Sequence, residues 1–316
     1  MTKAMSAVQR VMDDGRVKQL AEVRLRPAFV VRSDPAPEGS DRKLPERKFR
    51  PPSTRLVTSR GSLLRFALLT YFEAQTQLHP GQSHVSNSRP LVWAGGTDIG
   101  WIDLLVEDTR DNKAHDEKTT YLDAPAKMLD QLKGSVKRLA RPENELVALP
   151  GGAKSANKFE HFHLLHEGGR RDHGANVRYV VPRDGEDYFT VPVELFTHGW
   201  IHVLEESELA LLLVSAYQSS VTGGSFQMTS EERLRRHGLS PSAFDRHQFL
   251  SSLGLLEVIP HVMRTSAGKM IGYEKPEPHP STGKVSKTGL VPHTLNFLAE
   301  GFKELALPAA CDVLDV

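Results

Sequence analysis

At 316 residues the chain is long enough for two domains with cores of their own. Hydrophobic residues make up 39% and charged residues 25%, as in an ordinary globular protein. The formal net charge of +1 excludes nucleic-acid binding by bulk charge, so any such binding must come from local patches. A single cysteine, Cys311, excludes a disulfide framework and every multi-cysteine zinc module. No apolar run approaches the roughly 20 residues of a membrane span. The N-terminus, MTKAMSAVQRVMDDGRVKQL, has no apolar signal core, which makes a bacterial cytosol the expected compartment.

Residues 1 to about 60 read as a poorly packed, partly disordered arm. Ala4 to Leu20 can form one amphipathic helix, with Val8, Met12 and Val17 on one side. The following VRSDPAPEGSDRKLPERKFRPPSTR is rich in proline and charge and has little to bury. Arg42, Lys43, Arg47, Lys48, Arg50 and Arg55 outnumber Asp41 and Glu46. A solvated tail and an arm laid on DNA phosphates are both open.

A first domain is expected over 61–175. Ser62 can cap a helix reaching about Gln77, with Leu64, Leu68, Tyr71 and Phe72 as its buried stripe. A polar loop follows, then WIDLLVE (Trp101 to Glu107) as a short helix and a charged insertion at Lys113 to Lys118. Pro125 to Arg141 reads as a longer helix. Met128, Leu132, Val136 and Leu139 point inward, and Lys127, Lys133, Lys137 and Arg138 stay outside. ELVALP and FEHFHLLHE are strands joined by the glycine-rich turn PGGAKSANK.

That second strand carries His161, His163 and His166. An H-x-H pair on a strand shares one face, which is metal-ligand geometry. No Asp follows at a metallohydrolase offset, and Phe162 and Leu164 make the other face apolar, as on a half-buried strand. PGGAKSAN, with Lys154 and Ser155, lacks the spacing of a phosphate loop. No nucleophile elbow and no H-E-x-x-H occurs. No enzyme, metal or cofactor is expected.

The second domain is expected over 176–316. Tyr188, Val191, Phe196 and Trp200 act as apolar anchors for its leader. The helix Glu205 to Ser219 contains LALLLVSAY, apolar enough to be buried on more than one face. Thr229 and Glu232 form a capping box, and Gly238 ends that short helix. Ser240 caps the next, with Pro241 at its first position. On the helix Ser240 to Gly254, Ala243, Leu250 and Leu253 face the core, leaving Ser242, Asp245, Arg246 and Gln248 elsewhere. LLEVIPHV is a strand, RTSAGK a basic turn, and His293 to Leu298 the returning strand. A last helix, Phe302 to Leu314, closes the core or packs across a homodimer.

Helix, turn, helix, strand and basic hairpin in this order resemble the winged helix-turn-helix DNA-binding proteins, over roughly Glu205 to Val316. The first domain repeats the order, and HFHLLHEGG (161–169) is similar to HTLNFLAEGF (293–302). The expected fold is α+β, mainly α, with two tandem winged-helix domains behind a basic arm. Its architecture is similar to plasmid replication initiators and equally to dimeric transcription regulators.

The resemblance implies that the helix from Ser240 lies in a major groove with the hairpin on the phosphates. Arg233, Arg235 and Arg236 would touch the backbone, and Ser240, Ser242, Arg246 and His247 would occupy the first turns. Arg246 would pair bidentately with guanine. Arg264 and Lys269 would sit on the hairpin, with Lys275, Lys284 and Lys287 on its extension. Lys133, Lys137 and Arg138, with Lys127, Lys154 and Lys158, offer a second surface, which Asp123 and Asp130 dilute. A dimerisation role is open there as well. Sequence-specific binding of double-stranded DNA, regulating transcription or the replication of a plasmid or mobile element, is the function expected. The rivals are a protein-interaction scaffold without DNA affinity, and a metallohydrolase on the His161/His163 strand.

Overall fold

The computed structural model describes residues 2–13, 20–32, 43–58, 62–84, 86–92, 99–105, 124–150, 158–170, 176–262 and 292–314. Helix α1 (Thr2–Asp13) buries Ala4, Ala7, Val8 and Val11, a spacing that gathers them on one face. That face lies against α4 (Trp101–Leu104) and α6 (Glu194–Thr197). Strand β1 (Glu22–Leu25) pairs antiparallel with β4 (Phe189–Pro192), with buried Val23 opposite buried Val191. Just beyond it, Arg26 grips the fully buried carboxylate of Glu167 at 3.1 and 3.2 Å. Helix α2 (Pro52–Arg55) is buried along its whole length.

The expectation of a poorly packed arm is therefore corrected for the described part of residues 1–60. Their partners, among them Tyr71, α4, β4 and α6, lie in segments outside the first sixty residues, so local composition could not reveal them. The proline- and charge-rich positions 33–42 lie outside the described residues.

Helix α3 (Leu63–Gln77) is buried almost all round, beyond the single stripe its sequence suggests. Phe66 meets Trp101 and Phe162 edge-on, which ties α3 to α4 and to the hairpin behind α5 (Ala124–Leu139). That hairpin pairs β2 (Val147–Ala148) antiparallel with β3 (His163–Leu164). A later segment completes the layer, Arg178 bridging to Leu165 and Val180 to Ser83.

From β4 the chain runs through α6 and α7 (Trp200–Val203) into α8 (Glu206–Thr222), whose apolar middle is buried on every side as expected. Then come β5 (Phe226–Gln227), α9 (Ser230–Arg235), α10 (Pro241–Phe244), α11 (His247–Ser252), β6 (Leu256–Ile259), β7 (Thr294–Phe297) and α12 (Ala306–Leu314). The last three strands form one antiparallel sheet in the order β5-β7-β6. Both N-cap side chains are where the sequence puts them, but the expected Thr229–Glu232 capping box is only half made, the Glu232 carboxylate accepting from Gln218 Nε2 at 3.3 Å instead. Thr229 Oγ1 accepts from the Glu232 amide at 3.1 Å, and Ser240 Oγ from the Ala243 amide at 3.1 Å. Gly238 takes the left-handed conformation between the two helices (φ +65°).

The single helix expected from Ser240 to Gly254 is instead divided. Asp245 and Arg246 have shallow ψ values of −17° and −10°, and the His247 ring donates to the Phe244 carbonyl at 2.7 Å. The expected basic hairpin at 263–291, with Arg264, Lys269, Lys275, Lys284 and Lys287, lies outside the described residues.

Both halves share one uninterrupted hydrophobic cluster reaching from Ala7 to Ala310. Phe72 stacks on Phe196 with centroids 4.5 Å apart. Ser62 makes no side-chain cap for α3. The buried Glu206 carboxylate accepts from the Leu64 amide at 2.7 Å and the Thr58 amide at 2.8 Å instead. The chain is α+β and mainly α. Among the described residues no helix is long and apolar enough to cross a membrane.

Candidate nucleic-acid interface

Pro241, Ser242, Asp245, Arg246 and Gln248 are exposed on α10 and α11. Ser240 spends its hydroxyl on the cap and on Ser242 Oγ at 3.0 Å. Arg246 turns aside to the start of α8, its Nη2 3.0 Å from Glu205 Oε2 and its Nη1 3.7 Å from Glu208 Oε1. A guanidinium held between two carboxylates brings negative charge to the place where a base reader would work. The expected guanine contact lacks that geometry.

His247 is likewise not outward. It is only 6% exposed, packed between Phe244 and His293, and its Nε2 has no hydrogen-bond partner. Its position on the helix turns it to the core side, which corrects its reading as a contact residue.

Arg233 lies with its guanidinium 4.7 Å from the Phe244 ring centre, joining α9 to α10. Its Nε is buried without a partner, and burial holds the side chain below the usual arginine range. Arg235 pairs with Glu231 at 3.3 Å, one helical turn back. Arg236 is exposed at the end of α9. Arg236, Ser242 and Gln248 are therefore what this face can offer a ligand directly.

Helix α5 is different in charge. Leu132, Ser135, Val136 and Leu139 are buried, and Met128 is half-buried. The opposite side carries exposed Lys127 and Lys137, half-buried Lys133 and Arg138, and exposed Arg141 just past its end. Asp130 is the one carboxylate on α5 among these. Nothing lies within 4 Å of where a Cβ on Gly134 would stand, so the middle of the face is open to a close approach. Lys158 packs its ammonium 5.1 Å from the Phe159 ring, while Asp123 and Lys154 lie outside the described residues.

The three histidines of the hairpin do not converge. His161 is exposed, His163 sits on β3, and His166 Nδ1 accepts from the Gly168 amide at 3.0 Å. His84, which the sequence reading passed over, approaches β3 and accepts from the Leu164 amide at 3.3 Å. Burial pushes its ring down to about 4, with nearby His163 and Arg178 adding to the effect. No cluster of metal-ligating side chains occurs among the described residues.

Comparison with family models, with curated proteins and with solved structures finds no match to this chain.

Proposed function

We propose that this protein binds double-stranded DNA through two tandem winged-helix units, and that it regulates transcription or the replication of a plasmid or mobile element. The observation that carries the reading is the cationic outer face of α5, with Lys127, Lys133, Lys137 and Arg138 opposite a buried apolar face. α5 is the last helix before a hairpin, the position from which winged helices enter a groove. The order of the second unit supports the same fold, since α8, β5, α9, α10–α11, β6 and β7 follow one another and the strands form a sheet of order β5-β7-β6. In this reading α5 supplies phosphate contacts, and Gln248 with Ser242 supplies polar groups at base edges.

The test is fluorescence anisotropy with labelled duplexes over a salt series. The wild-type protein is expected to bind, with log K falling linearly against log salt. Lys137→Ala/Arg138→Ala should reduce the magnitude of that slope by about 2, one per lost phosphate contact. Absence of duplex binding at low salt sinks the proposal.

A second reading, a docking module without DNA affinity, draws on the acidic neighbourhood of Arg246 and on Leu305, Leu307 and Leu314 exposed around α12. A second copy of the chain would be the natural occupant of that apolar surface, as a homodimer. Equilibrium sedimentation with and without duplex separates the two readings.

A further inference from the structure

Gly134 stands in the middle of α5, although glycine is the least favourable helix former after proline. At Gly169 a positive φ and a crowding backbone neighbour both call for glycine. At Gly134 neither does. Its φ is not positive, and nothing lies within 4 Å of where a Cβ would stand. Alanine would fit that space and strengthen the helix. The fold thus gives no reason for glycine there, whereas a partner that must come close to the backbone does.

The missing side chain leaves a notch with polar neighbours, because residues three and four apart lie side by side on a helix. Asp130 and Gln131 stand on one side of it, Lys137 and Arg138 on the other. Asp130, Gln131 and Lys137 are exposed, and Arg138 is half-buried. The charges are ordered along the helix. Lys127 and Lys137 are about 15 Å apart at about 1.5 Å per residue, wider than the roughly 12 Å major groove. With the helix set across the groove, they can meet its two phosphate walls. Gln131 and Gly134 lie between them, and Lys133 is off this line, half-buried on the flank. Asp130 lies between them as well, where a carboxylate suits the amino group of a cytosine and opposes a phosphate. Cationic ends and an indented middle match a groove whose walls are phosphates and whose floor is base edges.

We propose that α5 sits on the floor of the major groove at Gly134, and that Gln131 reads an adenine edge there through its amide. Base reading is thereby added to the phosphate contacts of the same helix. The inference rests on the DNA-binding reading, and the arms of its test fail separately from that reading.

The test takes the full chain as wild type, Gly134→Ala, Gly134→Gln and Gln131→Ala. Thermal midpoints without DNA are measured first. Affinities follow for a duplex that the wild type selects from a randomised pool, and for a scrambled duplex. Both Gly134 variants are expected to melt at or above wild type, since alanine and glutamine are better helix formers. Gly134→Ala should bind the selected duplex about tenfold more weakly, the scale of one lost base contact, and Gly134→Gln more weakly again. Binding to the scrambled duplex, which rests on phosphates, should change far less. Gln131→Ala should keep its midpoint and lose most of its preference for adenine at one position. A Gly134→Ala variant that melts well below wild type overturns the proposal, because glycine then serves the fold. Unchanged binding by both Gly134 variants, or an equal loss on both duplexes, overturns it and leaves the DNA reading standing. An unaltered base preference in Gln131→Ala overturns that side chain as the reader. A wild-type protein that binds neither duplex overturns both the seat at Gly134 and the DNA reading.

Discussion

Arg246 shows how the role of one side chain turns on what folds up beside it. Its exposed pair with Glu205 contributes about 0–1 kcal/mol to stability, as surface ion pairs do. Arg246→Ala is therefore expected to cost no more than that in urea denaturation, and to leave any preference among DNA sequences unchanged. Gln248 is one of the exposed polar groups on the same face, and its amide can bond an adenine edge bidentately. Gln248→Ala should weaken preference at one base position by about 1–3 kcal/mol. Selection from a randomised duplex pool tests both residues together. A profile altered by Arg246→Ala and untouched by Gln248→Ala would reverse these roles.

At the level of elements, the join between α8 and α3 depends on a carboxylate that neither helix needs for itself. Glu206 takes the amides of Leu64 and Thr58 at the opening of α3, where backbone donors have no partner within the helix. Glu206→Ala leaves those donors buried and unsatisfied, with an expected loss of roughly 1–3 kcal/mol in chemical denaturation. Glu206→Gln keeps an acceptor oxygen and should recover part of it. An alanine variant as stable as wild type would show that water replaces the carboxylate. Thr229, Gly238 and Ser240 belong to the other kind of element-level feature. Their partners are within a few residues, so the caps and the turn were legible in the sequence and stand where it placed them. The ends of α3, α5, α8 and β7 are within a few residues of those the apolar spacing predicts, for the same reason. The break at Asp245 and Arg246 was not legible, because a histidine side chain competing for a carbonyl leaves no mark on periodicity.

Across the whole molecule, buried histidines connect stability to acidity. His237 bonds the Val30 carbonyl at 2.8 Å and Gln218 at 2.9 Å, so it pins the N-terminal segment to α8. Burial pushes His237 to about 4 and His202 to about 3, from an ordinary value of 6.5. The unfolded chain thus binds more protons than the fold between those values and 6.5. Stability should be full above about pH 6.5 and fall on acidification through that window, by on the order of a few kcal/mol for the group. Both ring nitrogens of His202 are buried without partners, so His202→Phe should flatten part of the fall. Urea midpoints between pH 7 and 5 measure it, and an unchanged slope would remove His202 from the account.

What the sequence by itself determined is the position of the longer helices α3, α5 and α8 and of strand β7, and the caps and turn around α9 and α10. Those outcomes depend on contacts a few residues apart, through caps, turns and helical spacing. Only the tertiary structure decided that residues from the first sixty belong to the core, that β1 pairs with β4, and that Arg246 answers to Glu205. A cation's work is set by the charges and the water around it. Here those surroundings are assembled from segments distant in the chain, with no local pattern to announce them.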